Sequence, residues 1–198
     1  MIAFYLDDDD AKNLAQDKGW FLKEKSHSEF EFEPEKPEDL HLTLAILNEE
    51  AKWQYKDKKD TINHILEAMS ERWAPLDGNV VGLGYFEMPD KDVIYASYDC
   101  PTLIEFRAEL IQALHGAGIF ESREHGYTPH ISLGYTTEPK TGQQMLPFIG
   151  EKSKVQLFGK DAEVRGKFKP RKLNLGKLVL RWGGEEAGEH PLKLITND

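Results

Sequence analysis

A chain of 198 residues with 39 % hydrophobic and 30 % charged side chains can bury one domain-sized core and remain soluble. Its net charge of −10 opposes a long nucleic-acid duplex, whose affinity rests on Lys and Arg against phosphate, and no apolar run nears the roughly 18 residues of a membrane helix. One cysteine excludes an internal disulfide and suits a reducing compartment, so a cytoplasmic monomer made of one domain over residues 1–198 is expected.

In chain order, Ile2–Leu6 is a short apolar run that predicts a strand, closed by four aspartates that form strands poorly and start helices well. Met1 to Leu6 offers neither a basic start nor a long apolar core, so no secretory leader is expected. Ala11–Trp20 reads as a short helix with Gly19 near its end. Ser26–Asp39 is acidic, with Phe30 and Phe32 alternating against glutamates; it reads as an edge strand or a loop, and Pro34 and Pro37 favour a loop in its second half. Leu40–Leu47 is mostly apolar and predicts a strand inside a sheet.

Lys56–Trp73 carries Ile62, Ile65, Leu66, Met69 and Trp73 at spacings of three and four, one stripe of a helix stopped by Pro75 and Gly78. Asn79–Met88 and Val93–Tyr98 are rich in β-branched and aromatic residues and read as a hairpin around Pro89–Asp92. Pro101–His115 is a second striped helix, with Pro101 at its first turn and Gly116 and Gly118 as stops. Tyr127–Tyr135 is the next strand, and the turn-rich Thr136–Gly150 is expected to be a mobile loop over a cleft. Val155–Phe158 and Lys172–Trp182 read as strands, Gly183–Gly188 as a turn, and Pro191–Ile195 as a last strand. The element order is α+β with a loosely duplicated half.

Two of these strands carry matching chemistry: Leu40-His41-Leu42-Thr43-Leu44 and Tyr127-Thr128-Pro129-His130-Ile131-Ser132-Leu133. Strand side chains alternate between faces, so His41 shares a face with Thr43, and His130 with Ser132, while Leu42, Leu44, Ile131 and Leu133 turn to the core. Phosphodiester cleavage needs a base for the attacking oxygen and an acid for the leaving one. Histidine suits both tasks because its ordinary pKa of about 6.5 lies near working pH. A hydroxyl two residues along can donate a hydrogen bond to a non-bridging oxygen as charge builds there, which gives Thr43 and Ser132 their role as phosphate-binding groups. A single match of this kind is most simply a histidine packed in a strand; two matches in strand contexts point to a shared site.

Charge is uneven along the chain. Residues 1–40 hold twelve acids against five lysines, and Lys152–Arg181 holds ten basic residues against Asp161 and Glu163. The basic segment reads either as a solvated face or as a positive rim for a small phosphorylated ligand. Tyr5, Tyr127 and Tyr135 are candidates for stacking a base. Arg123, Lys172 and Arg181 are candidate phosphate partners whose simpler reading is surface charge. His115, His125 and His130 lack the Cys or carboxylate spacing that completes a zinc set, so no metal site is assigned. Cys100 has no base of its own and reads as structural.

At its two His-x-Thr/Ser motifs the sequence resembles the 2H (two-histidine) phosphoesterase superfamily, which includes 2'-5' RNA ligase-like proteins and cyclic phosphodiesterases. Pro37-Glu-Asp-Leu40 and Tyr127-Thr-Pro129 resemble the superfamily's lead-ins to those motifs, and the likeness covers most of residues 1–136. The resemblance implies a bilobal α+β fold: two pseudo-symmetric lobes of antiparallel sheet, helices outside, and a central cleft. It implies metal- and cofactor-independent chemistry by His41 and His130 on a small nucleotide, cyclic oligonucleotide or RNA-end phosphodiester of 2',3'-cyclic or 2'-5' type. Strand Ile2–Leu6 followed by Ala11-Lys-Asn-Leu14-Ala15 is similar to phage-encoded members, which implies an alternative: an anti-defence enzyme of the host cytoplasm that degrades cyclic oligonucleotide signals. A module that sequesters its nucleotide without cleaving it is the other alternative.

Overall fold

In a computed structural model the described residues are 1–23, 32–47, 55–122, 126–136, 152–157, 160–165 and 171–193, with 16–23, 152–157 and 160–165 described by backbone alone. Strand β1 (Ile2–Tyr5) leads into helix α1 (Asp8–Lys23), which begins three residues before the expected Ala11. The reason is a cap: the Asp7 carboxylate accepts the Asp10 amide at 2.8 Å, and Asp8, Asp9 and Asp10 in the first turn complement the positive end of the helix dipole. The ambiguous acidic segment contains a short edge strand, β2 (Phe32–Pro34), before a 3-10 turn over Pro37–Asp39; its residues 26–31 lie outside the described ones.

Strand β3 (His41–Ala45), helix α2 (Lys59–Arg72), strands β4 (Leu76–Phe86) and β5 (Val93–Asp99), helix α3 (Pro101–Gly116) and strand β6 (His130–Thr136) follow in the predicted order, with β4 starting three residues earlier, and α2 and β6 three residues later, than expected. Of the expected loop Thr136–Gly150, residues 137–150 lie outside the described ones. The basic segment opens with a hairpin, β7 (Lys152–Leu157) and β8 (Lys160–Arg165), which forms its own two-stranded sheet.

Two expectations at the C-terminal end need correction. Lys172–Trp182 is two strands, β9 (Arg171–Leu175) and β10 (Lys177–Trp182), broken at Gly176. The turn is only Gly183-Gly184, whose φ angles of 64° and 89° suit the positive-φ turn that joins closely paired strands, so β11 (Glu185–Pro191) starts earlier than expected; 194–195 lie outside the described residues.

All strand pairs are antiparallel, and the main sheet runs β11-β10-β1-β3-β6-β5-β4-β9, with β2 also on β6. In that order β9 and β10 stand far apart, with β1, β3, β6, β5 and β4 between them, yet a single residue connects them. One residue spans only about 7 Å between the flanking Cα atoms. The sheet is therefore curled into a half-barrel that brings its β9 edge back beside β10.

Helices α2 and α3 pack on one face. Ile62, Leu66 and Met69 of α2 and Leu103, Phe106, Leu110 and Leu114 of α3 are buried in the same core as Leu42, Leu44 and Ile131. Phe106 meets Phe4 of β1 at 5.1 Å and Trp73 edge-on at 5.3 Å. Each such side chain contributes about 1.5–3 kcal/mol when fully buried. The Trp73 indole N–H donates to Glu109 at 2.8 Å, fixing the end of α2 to α3. Among the described residues the opposite face carries no helix, and it presents the side chains that alternate with the buried Leu42, Leu44 and Ile131.

Candidate active site

Strands β3 and β6 meet where the two halves of the sheet join, through one register pair, Leu42 with Ile131. The rest of the β6 edge is taken by β2, which pairs with Gly134, Tyr135 and Thr136. Leu42 and Ile131 point into the core, so their neighbours point the other way. Antiparallel register then carries His41 toward Ser132 and Thr43 toward His130, each histidine opposite the other motif's hydroxyl.

Both imidazoles are oriented by the same device. Nδ1 of His41 lies 2.7 Å from the carbonyl oxygen of Asp39, and Nδ1 of His130 lies 2.6 Å from that of Thr128. A carbonyl only accepts, so Nδ1 donates in each case and Nε2 is left for chemistry. The lead-in residues supply these carbonyls. Pro37 opens the 3-10 turn that presents Asp39, and Pro129, which has no N–H, gives its own carbonyl to the Tyr98 amide at 3.2 Å and holds the chain beside Thr128.

The surroundings of the two histidines differ. His41 is stacked on Tyr5, its register partner on β1, with ring centroids 5.2 Å apart and planes at 22°. Beyond Tyr5, the Arg181 guanidinium from β10 lies 5.8 Å from the tyrosine ring. The Thr43 hydroxyl donates to the Met1 sulfur at 3.6 Å. His130 instead meets the edges of Phe86 and Tyr95, at 4.9 and 5.3 Å. Those two rings stack on each other at 4.3 Å, and Tyr95 lies flat over Gly84, where a Cβ would sit 2.4 Å from the phenol ring. Burial lowers the His130 pKa below the usual 6.5, the Thr128 carbonyl opposes that shift, and the nearby His41 charge adds to it.

Of the other expected residues, Tyr127 lies under the Arg107 guanidinium of α3 at 4.0 Å, with its hydroxyl buried and its pKa raised by that burial. Tyr135 lies under Lys91 at 3.8 Å, its pKa pushed up to about 12 by burial and then by its hydrogen bond to Glu35. The structure thus groups Tyr5, but neither Tyr127 nor Tyr135, with a motif histidine. Sequence reasoning does not single out Phe86 and Tyr95; the Gly84 spacing inside an aromatic strand is their one local signal. Arg181, read as a surface charge, reaches the Tyr5–His41 stack, whereas Lys172 pairs with Asp77 on the β4–β9 side. Arg123 and His125 lie outside the described residues. Among the described residues no three His, Cys, Asp or Glu side chains are grouped to hold a metal. Cys100 is buried, its sulfur 3.2 Å from the Thr102 hydroxyl.

A family model described as the AKAP7 2'5' RNA ligase-like domain matches residues 12–171. The chain belongs to this family. The AKAP7 2'5' RNA ligase-like domains fall within the 2H phosphoesterase superfamily, and the curled sheet is that of its solved structures. The chain is similar to TT0787 of Thermus thermophilus at a TM-score of 0.57 and 15 % identity, over 96 % of this chain and 96 % of that one. It is similar to Kluyveromyces marxianus Usb1 solved with uridine monophosphate at a TM-score of 0.55 and 15 % identity, over 96 % of this chain and 98 % of that one. No curated protein matches the chain. No helix among the described residues is long and apolar enough to cross a membrane.

Proposed function

We propose that the protein is a metal-independent phosphodiesterase that cleaves a small nucleotide or RNA-end phosphodiester of 2',3'-cyclic or 2'-5' type. The observation that carries this reading is the matched orientation of two imidazoles on the sheet face opposite helices α2 and α3, each Nδ1 tied to the carbonyl two residues upstream and each ring carried toward the other motif's hydroxyl. Family membership supports it, as does the uridine monophosphate bound by Usb1, which has the same fold.

His130, whose buried surroundings favour the neutral ring, accepts the proton of the attacking oxygen at Nε2. His41 supplies the other proton from its Nε2 to the leaving oxygen. The Thr43 and Ser132 hydroxyls donate to the non-bridging oxygens as negative charge gathers on them. Two imidazoles and two hydroxyls thus cover both proton transfers and the charge stabilisation.

The test is product analysis by mass spectrometry on 2',3'-cyclic nucleotides, 2'-5' oligoadenylates and cyclic dinucleotides, run in excess EDTA. Cleavage of at least one class at an undiminished rate in EDTA is expected. Strict metal dependence would overturn the mechanism, and recovery of intact bound ligand would favour a sequestering module.

A further inference from the structure

The two sides of the cleft are chemically unlike. On the His130 side stand the stacked rings of Phe86 and Tyr95, with no cation against them among the described residues. On the His41 side stands Arg181, reached across Tyr5. The guanidinium is anchored at one end: an Nη donates to the Gly184 carbonyl at 2.8 Å, at the turn whose two glycines both have positive φ, and the group lies 5.8 Å from the centroid of the Tyr5 ring. An arginine has five N–H donors in a rigid fork, so donors are left over.

Among the described residues its charge also has no carboxylate in an ion pair with it. Arg72, Lys172, Lys177 and Lys193 each form an ion pair with a carboxylate, respectively Glu109, Asp77, Glu189 and Glu71. Among the described residues Arg181 forms none, not even with Glu186, its register partner on β11. In a chain of net charge −10, a guanidinium anchored at Gly184, without an ion pair among the described residues and separated from His41 by the Tyr5 ring, is a place for an anion.

Resting on the phosphodiesterase reading, we infer that Arg181, anchored at Gly184 and set across Tyr5 from His41, is a subsite for a second phosphate on the His41 side, so that the substrate is an oligonucleotide or a terminally phosphorylated nucleotide and not a lone cyclic mononucleotide. The phosphate under attack sits between His41 and His130. The second phosphate is carried one nucleoside position further toward β10, while the base side of the substrate faces Phe86 and Tyr95.

The test is calorimetric binding of adenosine 3'-monophosphate and adenosine 3',5'-bisphosphate to the wild type, Arg181→Ala, Arg181→Lys and Lys172→Ala. The wild type is expected to bind the bisphosphate about tenfold or more tightly than the monophosphate, the scale of one charge-assisted fork. Arg181→Ala is expected to remove that ratio while leaving the monophosphate affinity within about twofold, and Arg181→Lys to restore only part of it. Lys172→Ala, which deletes the same charge on the β9 edge, is expected to keep the full ratio. A wild-type ratio near one, or a ratio unchanged in Arg181→Ala, overturns the subsite. These readouts need no turnover: a ratio lost in Arg181→Ala with no diester cleaved would leave the subsite standing and the proposed reaction refuted, and cleavage with an unchanged ratio the reverse.

Discussion

Leu42 and Ile131 are the one register pair that joins β3 to β6, and this contact on the core face sets the geometry of the opposite face. By fixing the antiparallel register there, it turns two distant motifs into one site in which His41 is directed to Ser132 and His130 to Thr43. Each half contributes an imidazole and a hydroxyl, and neither half holds a complete acid–base pair.

The hydroxyls should matter to rate more than to affinity, since charge builds on the non-bridging oxygens in the transition state. Thr43→Val and Ser132→Ala are each expected to lower kcat by on the order of 10²-fold with a smaller change in KM. Thr43→Ser should restore most of the loss. Steady-state kinetics on the cleaved diester checks this, and equal rates for Thr43→Val and the wild type would remove the hydroxyl from the mechanism.

The acidic limb of the kcat/KM profile is expected below pH 6.5, because burial holds the His130 pKa beneath that ordinary value and the base fails only when it is protonated. Phe86→Ser admits water to the ring and should move this limb up toward 6.5. The same depression affects stability. Unfolded chains bind the proton first, so stability contributed by neutral His130 is present above pH 6.5 and declines as pH falls from there through the folded-state pKa. Thermal unfolding across that window, flattened in His130→Gln, measures it.

Tyr98 ties the hairpin to the sheet edge: its hydroxyl lies 3.2 Å from the Leu76 carbonyl on β4 and 3.1 Å from the Leu173 carbonyl on β9. Its ring lies over Gly78, where a Cβ would come within 2.4 Å. Tyr98→Phe is expected to cost about 1 kcal/mol, a fall of about 2–4 °C in Tm for a chain of this size. Gly78→Val should cost more by displacing the ring, and calorimetry distinguishes the two.

The parts of this molecule that follow local rules are readable along the chain. The period-two alternation in Leu40–Leu44 and His130–Leu133 predicts which side chains share the cleft face, and the three-four stripes of α2 and α3 predict their buried residues. The Asp7 cap extends α1 by a local rule as well, but four aspartates in a row do not say which one caps. Lys172–Trp182 keeps an unbroken strand pattern through Gly176, and only pairing with β4 on one side and β1 on the other divides it. Phe86, Tyr95 and Arg181 reach the site through cross-strand register with partners remote in sequence, which no spacing along the chain encodes.

Everything proposed for the cleft depends on His41 and His130 forming one acid–base pair. Single-turnover cleavage by His41→Ala and His130→Ala in excess EDTA measures this, with circular dichroism to show that each variant is folded. A loss of about 10²–10⁴-fold is expected in each single variant, with a double variant little worse than either. A folded single variant that retains its rate within a few-fold of wild type would contradict the pairing.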